Sequence, residues 1–244
     1  MPPTFASILV ILVGMYGLRL AYAGQLIYYV HPRYVSLTVV ASSVVVIVGI
    51  MAFILSPVKR HTRRRTMRGI GGMLPVILFI AAGILLPAKA LSSASVEQRS
   101  TSEVSQQPVS EDDNGSGVGD VSIVDTSEWT FDDFWYSLTI QDRTLEHYDG
   151  KVANLLGFVS RPKAAPEGTF QITRFLVMCC AIDAQTVGFW VQDTPALDTS
   201  ALQNDTWVQI KGTFRLSAST GKKILVIEPE AIEKTEQPED PYVY

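Results

Sequence analysis

The hydrophobic pattern divides the chain near residue 90 into an apolar first part and a more polar second part. Val35–Ser56 and Gly69–Ala88 carry no charged residue, and each is about long enough to cross the roughly 30 Å hydrocarbon core of a membrane as a helix. Thr4–Val30 is also apolar but contains Arg19, whose long side chain reaches the head groups when it lies near a helix end. We therefore predict a helical membrane domain with three transmembrane spans, at about residues 4–27, 35–56 and 69–88.

A cluster of basic residues between the second and third predicted spans indicates how this membrane domain is oriented. Cytoplasmic loops are enriched in Lys and Arg, and this loop contains Lys59, Arg60, Arg63, Arg64, Arg65 and Arg68. The amino terminus is therefore expected in the cytoplasm and the chain after residue 90 outside it. The third span followed by Ala88-Lys89-Ala90 is also similar to a cleavable signal segment, so cleavage at Ala90 is an alternative.

The stretch after the membrane domain does not have the composition of a folded domain. Residues 91–127 are rich in Ser, Glu, Asp and Gly and poor in large apolar residues, so they bury too little surface to offset the entropy of ordering. We predict a flexible tether here. The remaining residues, 128–244, form the predicted extracytoplasmic domain.

The pattern after residue 127 changes first to a helix and then to strands. Ser127 followed by acidic residues predicts the N-cap of a short amphipathic helix that ends near Ile140. Gly157 and Gly212 lie where a strongly bent sheet needs a missing side chain. This favours an all-β, OB-like five-stranded barrel, with a small sandwich as the alternative. Alternating apolar residues between turn-forming residues predict the five strands, at Val152–Ser160, Phe170–Ala181, Val187–Gln192, Trp207–Leu216 and Lys223–Ile232.

Both cysteines of the protein are adjacent, at Cys179 and Cys180, and an acid follows at Asp183. Thiolates and a carboxylate are ligands for zinc or another thiophilic metal, which makes these three residues a candidate metal site. On a regular strand, however, adjacent side chains point to opposite faces, so both sulfurs reach one ion only if the strand ends or bulges there. Structural thiols and redox chemistry through a strained vicinal disulfide stay open as alternatives.

Other polar residues in apolar surroundings are candidates for contacts with a partner or a solute. His31 and Arg33 lie in the predicted outer turn Tyr28–Tyr34, where they either anchor the chain among lipid head groups or contact a partner. Arg19 either reaches the head groups or pairs with an acid on another subunit. Arg174 lies on an apolar face of its predicted strand, so it either pairs with an acid at the edge of the barrel or extends its charged end to solvent.

Signals of an enzyme or of a nucleic-acid-binding protein are missing from the sequence. It contains no Gly-rich phosphate loop, no HExxH motif and no convincing nucleophile with a histidine base. The net charge of −4 combines the basic cluster next to the membrane with an acidic remainder, and this distribution does not indicate nucleic-acid binding. We expect a non-enzymatic protein.

Two motifs make the chain similar to a known family. The hairpin turn His31-Pro32-Arg33-Tyr34 and the later segment Arg174–Ala184, with the sequence RFLVMCCAIDA, resemble the YcgQ-like family of bacterial membrane proteins. Proteins of that family are described as small subunits of a two-component permease. The resemblance covers both ends of the chain and not the tether. It implies a larger multi-pass permease subunit as partner and a location in the bacterial plasma (inner) membrane.

Together these observations favour an accessory subunit of a membrane permease complex. Its extracytoplasmic barrel would bind a solute, a metal ion or the partner permease. The alternative is a membrane-anchored thiol protein that senses or exchanges redox state through Cys179 and Cys180.

Overall fold

Two compact units are seen in the computed structural model. The first consists of residues 1–90 together with 179–181, and the second consists of 91–178 and 182–244. The structure describes residues 3–56, 88–99, 129–139, 145–219 and 222–244, and also positions 78, 81, 83 and 85.

The first unit contains two apolar helices that are joined by a short 3₁₀ turn. Helix α1 runs over Pro3–Tyr22, the turn over Gln25–Tyr28, and helix α2 over Pro32–Leu55. Gly24, just before the turn, has a φ of 67°, a left-handed conformation that glycine adopts without steric strain. Pro32 lies in the first turn of α2, where its fixed φ favours the start of a helix.

Helix α2 is, within the described ranges, the one helix long and apolar enough to cross a membrane, judged by length and composition. Ala6–Tyr22 is apolar but shorter. The third predicted span falls almost entirely on residues that the structure does not describe, as does the basic cluster at 59–68. The first unit therefore has one or two candidate membrane helices, and a bundle of three spans stays a prediction.

The second unit is built around a closed barrel of five strands, which confirms the predicted all-β domain. The order around the barrel is β1-β4-β5-β3-β2, and β2 pairs with β1 to close it. Neighbouring strands are antiparallel except β3 and β5, which are parallel where Trp190 and Val191 pair with Val226 and Ile227. The strands are β1 (Val152–Ser160), β2 (Thr169–Leu176), β3 (Gln185–Gln192), β4 (Trp207–Ser219) and β5 (Lys222–Lys234).

A short helix adds two aromatic rings to the barrel core. Helix α4 runs over Phe131–Thr139, after a shorter helix, α3, at Ser93–Arg99. The rings of Phe131 and Phe134 are buried, and each packs edge-on against an aromatic ring of the barrel. Because burial of one such side chain stabilises a fold by about 1.5–3 kcal/mol, α4 is an integral part of the barrel domain.

Four features differ from the sequence prediction. The short helix begins at Phe131 and not directly after Ser127, which lies outside the described residues. Strand β2 ends at Leu176 and not at Ala181, because its pairing with β3 stops at Leu176 and Gln185; the N–H of Val177 donates instead to the carbonyl of Val243 at 3.0 Å. The residues that make this contact form a sixth strand, β6 (Tyr242–Val243), which runs parallel to β2. Helix α3 lies in the stretch that was predicted to be a tether, and the rest of that stretch, from residue 100, lies outside the described residues.

The two glycines predicted to sit at sharp bends are confirmed by their surroundings. A Cβ on Gly157 would lie 2.8 Å from the carbonyl oxygen of Thr173, and one on Gly212 would collide with the carbonyl oxygen of Glu228. Gly212 follows a register irregularity between β4 and β5, which bends the strand. Both positions therefore need glycine because backbone approaches too closely for a side chain.

We expect Gly212→Ala to destabilise the barrel by about 1–3 kcal/mol, because the added methyl group has to displace backbone and not a flexible side chain. Denaturant unfolding of the full chain, followed by tryptophan fluorescence, measures the change. Lys211→Ala, at the exposed neighbouring position, is the matched control and should change stability by less than about 0.5 kcal/mol. Equal stability of the two variants would contradict the close approach.

Candidate metal centre

The adjacent cysteines lie in the loop between β2 and β3, and not on a strand. The loop begins at Val177, where β2 has already ended, and β3 starts at Gln185. A carboxylate oxygen of Asp183 accepts the N–H of Met178 at 3.1 Å, which closes the loop on itself. The chain is therefore turned sharply at the position of both thiols.

Three potential metal ligands come together in this loop. The sulfurs of Cys179 and Cys180 and a carboxylate oxygen of Asp183 all lie within 4.8 Å of one another, and the two Sγ atoms are 3.6 Å apart. Ligands bound to one tetrahedral zinc ion are about 3.3–3.8 Å apart, as follows from zinc–ligand distances of about 2.0–2.3 Å. A small contraction of the loop would therefore place all three atoms around one ion.

The strand end explains why the two sulfurs are close. Adjacent side chains on a continuous strand would point to opposite faces, and the predicted strand to Ala181 would have separated them. Because β2 ends at Leu176, the side chains of Cys179 and Cys180 do not have to alternate between the two faces of the barrel sheet. Cys179 is exposed and Cys180 is half-buried, so an ion from solution has access to the site.

The turn before helix α2 makes backbone contacts with the tripeptide 179–181, and both belong to the first unit. The N–H of His31 donates to the carbonyl of Cys179 at 3.1 Å, and the N–H of Ala181 donates to the carbonyl of Tyr29 at 2.9 Å. Val30 and Cys180 form an antiparallel bridge between these two bonds. The backbone of His31, the histidine singled out in the sequence, is thus paired with the backbone of Cys179.

The other two basic candidates of the helical part lie at exposed positions. Arg19 is in the last turn of α1, and Arg33 is in the first turn of α2. Their contacts with lipid or with a partner subunit stay predictions. Arg33 has a structural role as well, because its N–H donates to Nδ1 of His31 at 3.0 Å and so takes part in the cap of α2.

Arg174 is placed at the carboxyl-terminal end of β2, where it binds the last residues of the chain. Its guanidinium donates to the backbone carbonyls of Asp240 at 2.7 Å, Pro241 at 3.3 Å and Tyr242 at 2.7 Å. The expected acid is also present, because a carboxylate oxygen of Asp132 lies 3.8 Å from the guanidinium. In the structure Arg174 therefore fixes β6 against β2.

Burial dominates the electrostatics of this ion pair. Desolvation lowers the pKa of Arg174 although Asp132 and Asp240 oppose the shift, and desolvation raises the pKa of Asp132 although Arg174 opposes it. The charged form of each partner is thus less favoured in the folded protein than in water. The hydrogen bonds to backbone carbonyls, and not the ion pair, are the stabilising part of the arrangement.

A partly buried ion pair between Arg161 and Asp193 was not predicted from the sequence. The guanidinium of Arg161 donates to both carboxylate oxygens of Asp193, at 3.0 and 3.1 Å, and to the carbonyl of Thr199 at 2.7 Å. The hydrogen bond from Arg161 is the main reason why the pKa of Asp193 is lowered. The residues come from separate connections of the barrel, so their spacing in the sequence gives no signal of this contact.

Apolar helices followed by a five-stranded barrel define a two-part protein, and the described residues contain one candidate metal centre, in the Cys-Cys-Asp loop. The sequence matches the DUF1980 N-terminal domain family over residues 5–102 and the DUF1980 C-terminal domain family over residues 121–244. The chain belongs to the DUF1980 family. No curated protein and no solved structure matched it.

We expect Arg174→Ala to destabilise the domain by about 2–3 kcal/mol and to release β6, because carbonyls of residues 240–242 lose their donor. Hydrogen exchange of the Val177 amide, which donates to Val243, reports the release directly. Asp132→Asn is the control. It removes the ion pair and keeps the backbone contacts, so it should cost less than about 1 kcal/mol. The opposite ranking of the two variants would show that the ion pair holds the strand.

Proposed function

We propose that the chain is an accessory subunit of a bacterial membrane permease complex and that its OB-like barrel binds a thiophilic metal ion such as zinc. The barrel is held outside the cytoplasm in this proposal, and the chain itself is not an enzyme. The ion is bound in the β2–β3 loop by Cys179, Cys180 and Asp183. The observation that carries the metal-binding part is the convergence of three ligand atoms within 4.8 Å.

The chemistry of the loop supports a thiophilic ion over a hard one. Thiolate sulfur selects zinc and other soft or borderline ions, whereas magnesium and calcium are bound by oxygen ligands alone. Two thiolates and one carboxylate carry three negative charges, which a divalent cation compensates in large part. Because thiol protons have to leave for the metal to bind, affinity should fall as the pH falls.

The permease part of the proposal is supported by the YcgQ-like resemblance and by the apolar helices. The helix Pro32–Leu55 has the length and composition of a membrane span. With Ala6–Tyr22 and the predicted third span it would form a lipid-facing bundle with few polar groups to line a path. Such a bundle is suited to docking on a larger multi-pass subunit and poorly suited to conducting a solute alone.

We expect the full chain, purified in detergent under reducing conditions, to bind one zinc ion per molecule. Cys179→Ser and Cys180→Ser should each weaken binding by about 100-fold or more, because changes outside the ligand shell alone cost about 10–100-fold. Ala181→Ser is the matched control, since it adds a hydroxyl to the same loop and removes no ligand. Absence of binding, or binding that survives Cys180→Ser, would argue against the metal centre.

Redox chemistry is the second candidate, and the Sγ–Sγ distance of 3.6 Å favours it. A disulfide between adjacent residues is strained, because the Cα atoms are about 3.8 Å apart and ordinary disulfides need about 4.4–6.8 Å. Strained disulfides are readily reduced. Counting the thiols of the isolated protein before and after treatment with a reductant separates redox chemistry from metal binding. A functional disulfide would yield two additional thiols on reduction, and the oxidised protein would not bind zinc.

The accessory role predicts a stable complex with a multi-pass membrane protein. Purification of the tagged chain from its native membranes in a mild detergent should recover such a protein in a fixed ratio. A truncated chain that ends after residue 90 would show whether the helices are sufficient for the association. Recovery of the chain alone, over several detergents, would count against the accessory role and leave the metal centre unaffected.

A further inference from the structure

We propose that His31 is the fourth ligand of the metal ion held by Cys179, Cys180 and Asp183. This inference rests on the proposed metal-binding function and names the residue that completes the site. It pairs the turn before α2 with residues 179–181, which belong to the same unit although they are far apart in the sequence. The resulting ligand set is two thiolates, one carboxylate and one imidazole.

The register of the backbone contacts places His31 opposite Cys179. The N–H of His31 donates to the carbonyl of Cys179, and the N–H of Ala181 donates to the carbonyl of Tyr29. Between these bonds Val30 is bridged to Cys180 in the antiparallel sense. One step along each strand from that bridge, the directly opposed residues are His31 and Cys179.

Directly opposed residues in an antiparallel pair have Cβ atoms about 4.5–5.5 Å apart. An imidazole and a thiolate at that separation can reach one ion, since zinc lies about 2.0–2.1 Å from nitrogen and about 2.3 Å from sulfur. His31 is half-buried and Cys179 is exposed, so an ion from solution has access to both residues. The backbone register thus places the residue that carries the imidazole opposite the residue that carries the first thiol.

Charge and coordination number also favour an imidazole as the added ligand. Zinc takes four ligands in tetrahedral geometry when a protein holds it structurally, and the loop itself supplies three. A neutral imidazole fills the fourth position without adding to three negative charges that already exceed those of a divalent ion. His147, the histidine of the barrel domain, instead has its Nε2 2.7 Å from Nζ of Lys151.

In the structure His31 serves as a helix cap, and that role changes when it coordinates. Its Nδ1 accepts the N–H of Arg33 at 3.0 Å at the start of α2. An imidazole that binds metal through Nε2 carries its proton on Nδ1, so it no longer accepts this N–H. Coordination through Nδ1 displaces the N–H as well. A residue that only caps the helix would keep this bond in the presence of the ion.

Cobalt(II) in place of zinc, bound to the full chain under reducing conditions, tests the inference. His31→Asn removes the imidazole but keeps a side-chain oxygen that caps helices well. It should weaken cobalt and zinc binding by about 100-fold or more. His31→Cys should instead keep tight binding and raise the thiolate-to-cobalt charge-transfer absorbance by about half, because three thiolates then bind the ion in place of two.

His147→Asn is the matched control and should bind cobalt as the wild type does. Unfolding curves of the metal-free His31→Asn variant should match those of the wild type, since the cap is kept. In the wild type, zinc should also speed hydrogen exchange at the Arg33 amide. That change is absent if His31 has no role beyond capping.

The outcomes separate this inference from the function on which it rests. If the wild type binds cobalt and His31→Asn binds it with the same affinity and spectrum, His31 is not a ligand and the three-residue site stands. If His31→Cys leaves the charge-transfer band unchanged, the side chain does not reach the ion. If the wild type binds neither cobalt nor zinc, the metal-binding function itself is wrong.

Discussion

The contact between Arg174 and the end of the chain is the interaction on which the candidate site depends. Three backbone carbonyls of residues 240–242 accept hydrogen bonds from this one guanidinium, which places β6 beside β2. The N–H of Val177 then pairs with Val243, and the chain turns into the loop directly afterwards. The position of both thiols is therefore a consequence of how the carboxyl-terminal strand is held.

This arrangement buries most of the charged guanidinium of Arg174. Backbone carbonyl oxygens accept its hydrogen bonds, and the nearby carboxylate of Asp132 contributes less. Desolvation raises the pKa of Asp132 in spite of the nearby guanidinium. A carboxyl whose pKa is raised on folding stabilises the fold below its unfolded pKa, and that contribution is lost as the pH rises through its folded pKa. At neutral pH the ionised pair is therefore a weak source of stability. The three carbonyls give Arg174 the geometric specificity that a single ion pair at 3.8 Å does not.

Much of the barrel could be predicted because its signals are local. Alternation of apolar residues located β1, β3, β4 and β5 to within a few residues, and the glycines at 157 and 212 marked sharp bends. Strand β6 could not be predicted, since two residues near the end of a polar segment show no alternation. The end of β2 was missed for a different reason. The sequence from Leu176 to Ala181 stays apolar, so it gives no sign that the pairing partner of the strand changes.

The sequence by itself determined the composition of the site and the class of the fold. It identified two adjacent thiols followed by an acid, an apolar helical part and a barrel, because residue type and short-range periodicity carry that information. Only the tertiary structure decided that the two sulfurs face one another and that His31 lies opposite Cys179. Those facts depend on where a strand stops and on which distant segment pairs with it. Such pairings are set by hydrogen bonds between segments that the sequence leaves far apart, so no local pattern records them.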